Sequence, residues 1–116
     1  MATKSQVRNK ALKKIRVLEE GETPTNEVIA DVESTYDDLH AYLGTENATT
    51  WDIDEEIPDE ATRYVVTMLA FDIADDFGVD EIRYGRLKAE RDLALAQLIE
   101  LASSNYVSRT VAADYF

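Results

Sequence analysis

Pro58-Asp59-Glu60-Ala61-Thr62-Arg63-Tyr64-Val65-Val66-Thr67-Met68-Leu69-Ala70-Phe71-Asp72-Ile73-Ala74-Asp75-Asp76-Phe77-Gly78 decides the fold class. Pro58 suits a first-turn position, where its missing N–H costs nothing, and Asp59 and Glu60 follow at the positive end of the helix dipole. Tyr64, Val65, Met68, Leu69, Phe71, Ile73 and Ala74 then make the helix apolar on most sides, so it belongs at the centre of a bundle with other helices around it. Phe77-Gly78 ends it, because glycine takes the left-handed conformation that closes a helix.

Downstream, Asp80 can cap a fourth helix carrying Ile82, Leu87, Leu93, Leu95, Leu98, Ile99 and Leu101, with Gly85 as a weak point. From about Ser103 the β-branched and aromatic content of Asn105-Tyr106-Val107-Ser108-Arg109-Thr110-Val111 predicts an extended segment. Upstream, periodicity fails between Thr45 and Ile57, which predicts a loop with Trp51 and Ile53 tucked against the bundle. The second helix starts at Thr25 as N-cap and carries Val28, Ile29, Val32, Tyr36, Leu39, Tyr42 and Leu43 on one face; Gly44 is its expected stop. The first runs from about Lys4 to Val17, opened by Thr3 or Ala2, with Val7, Ala11, Leu12, Ile15 and Leu18 as its stripe; the turn Glu19-Glu20-Gly21-Glu22-Thr23-Pro24 breaks it. The expectation is an all-α chain: a four-helix bundle-like core over residues 1–104 and an extended C-terminal tail over 105–116 that docks on a partner. The tail's terminal aromatics, Tyr115 and Phe116, need a pocket, either on their own bundle or in a partner.

Length and composition agree with one compact core: 116 residues, 45% apolar, 4 glycines and 2 prolines. No apolar run approaches the roughly 20 residues of a membrane span, and residues 1–18 lack the hydrophobic centre of a secretory signal, so no membrane role is expected. There is no cysteine, which removes disulfides, thiolate metal sites and a cysteine nucleophile.

The net charge of −12 is unevenly spread. Residues 1–18 hold six basic residues and no acidic one, 19–62 hold fifteen acidic and no basic one, and 63–116 mix six basic with nine acidic. An acidic excess serves solubility. The basic helix could suggest DNA, but the next forty or so residues would repel phosphate and no helix-turn-helix partner follows. A better use is between copies: the basic face carrying Arg8, Lys13 and Lys14 could dock on a neighbour's acidic face carrying Asp31, Asp37 and Asp38. A head-to-tail contact of that kind can close into a ring.

Catalytic chemistry has little to stand on. The single histidine, His40, lies late in the second helix, where a dipole partner or surface residue is the ordinary reading. Asp72, Asp75 and Asp76 share a helix face and could hold a divalent cation, but a matching carboxylate set on a second helix is lacking and a solvated face is expected. Asp52-Ile53-Asp54-Glu55-Glu56-Ile57 fails as a calcium loop because Ile57 stands where the tight turn needs glycine. There is no phosphate-binding glycine-rich loop. No catalytic, cofactor or metal residue is therefore assigned.

The order of blocks resembles the helical head-to-tail adaptor, or head-completion, proteins of tailed bacteriophages, particularly those of short-tailed phages. It rests on Val7-Arg8-Asn9-Lys10-Ala11-Leu12-Lys13-Lys14-Ile15, the Gly-Glu turn, Tyr36-Asp37-Asp38-Leu39, Ile57-Pro58, Ile73-Ala74-Asp75-Asp76-Phe77-Gly78-Val79, and Arg91-Asp92-Leu93-Ala94-Leu95-Ala96-Gln97-Leu98, and it covers most of the chain. The resemblance implies a structural virion protein, not an enzyme, made in the host cytoplasm and placed at the head–tail junction. Identical adaptor subunits would form a dodecameric ring beneath the portal protein, with tail or nozzle proteins below and genome DNA passing through the lumen without sequence-specific binding. By position, Tyr106, Val107, Arg109, Val111, Tyr115 and Phe116 would contact the portal. The chain is shorter after its fourth helix than some relatives, which leaves the docking of the tail open. Two rival readings remain: an acidic helical regulator or DNA mimic that binds a basic site on another protein, and a metal-dependent hydrolase using Asp72, Asp75 and Asp76.

Overall fold

The computed structural model describes residues 1–17 and 21–115, and the side chains of residues through 103. The chain is all-α: α1 spans Lys4–Lys14, α2 Asn26–Thr45, α3 Asp59–Ala74 and α4 Glu81–Tyr115, and a 3-10 turn at Asp75–Phe77 continues α3. Among the described residues there is no strand. α3 is central and packs against α1, α2 and α4. Val65, Met68, Leu69 and Ile73 of α3 are fully or almost fully buried, and each contributes roughly 1.5–3 kcal/mol of apolar transfer.

The helix starts follow local chemistry. Thr3 caps α1 in a reciprocal box, its hydroxyl accepting from Gln6 N–H at 3.2 Å while the Gln6 side chain accepts from Thr3 N–H at 2.9 Å. Thr25 accepts from Val28 N–H at 3.3 Å, and Asp80 from Arg83 N–H at 2.9 Å. Pro58 is the N-cap of α3, one position before its first helical residue.

Three successive helix ends share one device. In each, a residue with positive φ turns the chain, its own N–H bonds back across the last turn, and the following N–H reaches one residue further back. After α1 that residue is Arg16 (φ 62°), with Arg16 N–H to Lys13 O and Val17 N–H to Leu12 O, both 3.0 Å. After α2 it is Asn47 (φ 56°), with Ala48 N–H to Leu43 O at 2.8 Å. After the 3-10 turn it is Gly78 (φ 69°), as the sequence predicts, with Val79 N–H to Ala74 O at 3.4 Å. The other two ends correct the sequence reading. α1 stops at Lys14, short of Val17, and Gly44 lies inside α2, whose stop is Asn47. Leu18 lies outside the described residues.

The loop between α2 and α3 is held from both sides. Ala2 and Ile57, both buried, exchange backbone hydrogen bonds of 3.0 and 2.8 Å and so tie the start of the chain to the start of α3. Trp51 is buried as expected, but Ile53 is 37% exposed and does not tuck against the bundle.

α4 departs most from the sequence reading. Its core stripe is Leu87, Arg91, Ala94 and Leu98, spaced by four, three and four, which leaves Ile82 and Leu93 on the opposite side at 75% and 69% exposure. The backbone of residues 105–115, expected to be extended, continues α4 as helix. No glycine or proline follows Gly85, and β-branched residues cost a helix only tenths of a kcal/mol each, about 0.7 at most. Thirty-five residues rising about 1.5 Å each give about 52 Å, and the molecule's longest dimension is 52 Å.

Candidate functional site

The basic α1 and the acidic α2 meet inside one chain. Arg8 is 8% exposed; its Nη1 donates to Glu33 Oε2 at 2.7 Å and its Nε to Asn9 Oδ1 at 3.0 Å. A guanidinium this buried needs such partners, because desolvation without them costs several kcal/mol. Lys4 pairs with Asp37 at 2.6 Å and Lys14 with Glu90 of α4 at 3.0 Å. Of the residues expected between subunits, Arg8, Lys14 and Asp37 thus serve intrachain pairs, and Arg8 is not presented to a neighbour. Spacing along one helix could not reveal this, since the partners lie on other helices. Lys13, Asp31 and Asp38 are exposed. The expected portal contacts Tyr106, Val107, Arg109, Val111 and Tyr115 lie on the helical backbone of α4, with side chains outside the description, and Phe116 lies outside the described residues.

His40 is neither a dipole partner nor a plain surface residue. Its Nε2 lies 2.9 Å from the Trp51 carbonyl oxygen, which can only accept, so Nε2 carries the proton. Trp51 Nε1–H donates to the Tyr36 hydroxyl at 3.2 Å, and the His40 and Trp51 rings meet edge-on at 5.9 Å. Burial pushes the Tyr36 hydroxyl pKa above its ordinary value, opposed by the Trp51 hydrogen bond and the Lys4 charge. The group has the character of a structural lock that holds the loop on α2.

The three aspartates considered for a metal do not act together. Asp72 lies 3.7 Å from Arg91 Nε, an ion pair without a hydrogen bond, and that Nε is buried with no hydrogen-bond partner. Arg91 also lies over the rings of Phe71 and Tyr42, at 5.4 and 5.6 Å. Burial raises the Asp72 pKa, and Arg91 opposes the rise. Asp75 and Asp76 are exposed on the 3-10 turn. Among the described residues no three His, Asp or Glu side chains gather as a metal site requires.

Among the described residues, two surfaces suit a partner. One is an open groove of about 920 Å³ bounded by α1, α3 and α4, lined by Lys10, Arg63, Tyr64 and Val66, with Leu93 among its residues. The other is the outer row of α2, where Glu27, Asp31, Ser34 and Asp38 recur at i, i+4, i+7 and i+11; three of the four are exposed carboxylates and the fourth, Ser34, is exposed too. Sequence reading found Asp31 and Asp38 from charge, but missed Lys10, Arg63 and Leu93, whose proximity depends on how three helices cross. Compared with protein-family models, with curated proteins and with solved structures, the chain gives no match.

Proposed function

We propose that this chain is a structural head-to-tail adaptor of a tailed bacteriophage of the short-tailed type. Copies form a ring beneath the portal protein, extend the DNA channel and give tail or nozzle proteins a platform. The observation that carries the reading is α4: among the side chains described, Ile99 is the last apolar one packed on the core, and the helical backbone runs on to Tyr115. Residues 100–115 make an arm of about 24 Å at 1.5 Å per residue, suited to reach a neighbouring protein. The arm takes the place that the extended tail held in the sequence reading.

The acidic surface suits a channel. The exposed loop carboxylates Asp52, Asp54, Glu55 and Glu56 are available to face a lumen, where they would repel phosphate and keep a duplex from sticking. The test is binding of the full chain to the portal protein of the phage that encodes it. A stoichiometric ring on the portal is expected; failure to bind, with capture of a basic DNA-binding protein instead, would favour the acidic-regulator reading.

A further inference from the structure

The groove between α1, α3 and α4 collects cations on a chain whose net charge is −12. Lys14 there is paired with Glu90, and Asp59 with the N-terminal ammonium. Lys10 and Arg63 make no ion pair among the described residues, and Arg63 lies over the Tyr64 ring at 5.2 Å. Leu93, on the same groove, is 69% exposed although it is a large apolar side chain. The groove is therefore apolar in part and positive at α1 and α3, and its occupant should be negative and shallow.

The outer row of α2 has those properties. Glu27, Asp31 and Asp38 are exposed and make no ion pair among the described residues, and the exposed positions beside them, Ala30, Ser34 and Ala41, are small. Like charges one turn apart weaken a helix, a cost that opposite charges from outside would remove. Small side chains let a second backbone come close, leaving room for Leu93 to lie against them.

We infer that the groove receives the Glu27–Asp31–Asp38 row of α2 from a second copy of this chain, Lys10 and Arg63 meeting those carboxylates and Leu93 packing over Ser34. The inference rests on the ring reading and names the contact that would build it. α2 lines no part of the groove, and Glu27 and Asp31 border a separate crevice with Ile73 and Phe77, so the two surfaces do not overlap. The contact is head-to-tail: once two copies meet, one keeps its row and the other its groove still to be matched, the condition for a ring. Arg8 and Asp37, expected at the contact between copies, stay in their intrachain pairs with Glu33 and Lys4.

The absence of cysteine makes the test clean. A Ser34→Cys, Leu93→Cys double variant of the full chain, oxidised at low ionic strength, should give a ladder of disulfide-linked multimers on a denaturing gel, while each single variant gives dimers at most. Adding Lys10→Glu and Arg63→Glu should lower the ladder about tenfold, and adding Asp31→Lys and Asp38→Lys to that variant should restore it, because both partners are then reversed. Restoration also shows that the reversed chain folds. No ladder, or one indifferent to the reversals, overturns the inference. Portal-bound rings formed by the Lys10→Glu, Arg63→Glu chain would overturn it while leaving the adaptor reading standing; loss of portal binding by the unaltered chain removes both.

Discussion

His40 Nε2 and the Trp51 carbonyl oxygen lie 2.9 Å apart, and the Trp51 indole N–H returns to α2 by donating to Tyr36. Two hydrogen bonds in opposite directions thus fasten the loop before α3 to the last turns of α2. Trp51→Phe keeps most of the buried ring but leaves the Tyr36 hydroxyl without its donor, which should cost about 1–3 kcal/mol. His40→Ala should cost about 1 kcal/mol by the same reasoning. Urea unfolding checks both, with a lowered midpoint and an unchanged slope.

Arg16 occupies a left-handed conformation with φ 62° and is exposed. A side chain in that region costs roughly 1 kcal/mol that glycine avoids. Arg16→Gly should therefore raise stability by about 0.5–1 kcal/mol, despite the greater freedom of glycine in the unfolded chain. Gly78→Ala, at φ 69°, should lower it by about 1 kcal/mol, although open space surrounds that position. Thermal unfolding of the two variants should move in opposite directions.

The ion pairs should differ by burial. The Arg8 side chain is 10% exposed and that of Glu33 28%, whereas those of Lys14 and Glu90 are 34% and 50% exposed. Glu33→Ala leaves a buried guanidinium short of its partner and should cost about 2–4 kcal/mol. Glu90→Ala should change stability by less than about 0.5 kcal/mol. Equal losses for the two would contradict the placement of Arg8.

Asp72 should give an inverted acid response. Its pKa in the fold is raised above 3.8 by burial, with Arg91 opposing, so the folded chain holds this proton more tightly than the unfolded one. Its contribution to stability is therefore greatest below 3.8 and declines as pH rises through the raised value. Relative to Asp72→Asn, the unaltered chain should gain stability as pH falls from neutral towards 4. Paired urea titrations at several pH values would show it, and a relative loss on acidification would contradict the assignment.

The sequence disclosed what short-range chemistry controls. Thr3, Thr25, Asp80 and Gly78 act within one turn of where they stand, and α3 is apolar round most of its surface, so caps, one stop and the central helix were legible. Arg16 and Asn47 were not, because residues that tolerate the left-handed conformation poorly or only moderately gave no signal as strong as the nearby glycines. The Ala2–Ile57 pairing and the burial of Arg8 were hidden for another reason: each depends on a partner more than twenty residues away, whose register only packing sets. On α4, hydrophobicity alone favoured Leu93 over Arg91 for the core. Aromatic rings and Asp72 reverse that order.

Mass photometry of portal protein mixed with the full-length chain, or with a chain truncated after Ser104, asks whether the arm of α4 docks this chain on a portal. A portal-bound ring with the full chain that is lost on truncation is the expected result. Equal binding by both chains would contradict the role of the arm, and binding by neither would contradict the adaptor reading itself.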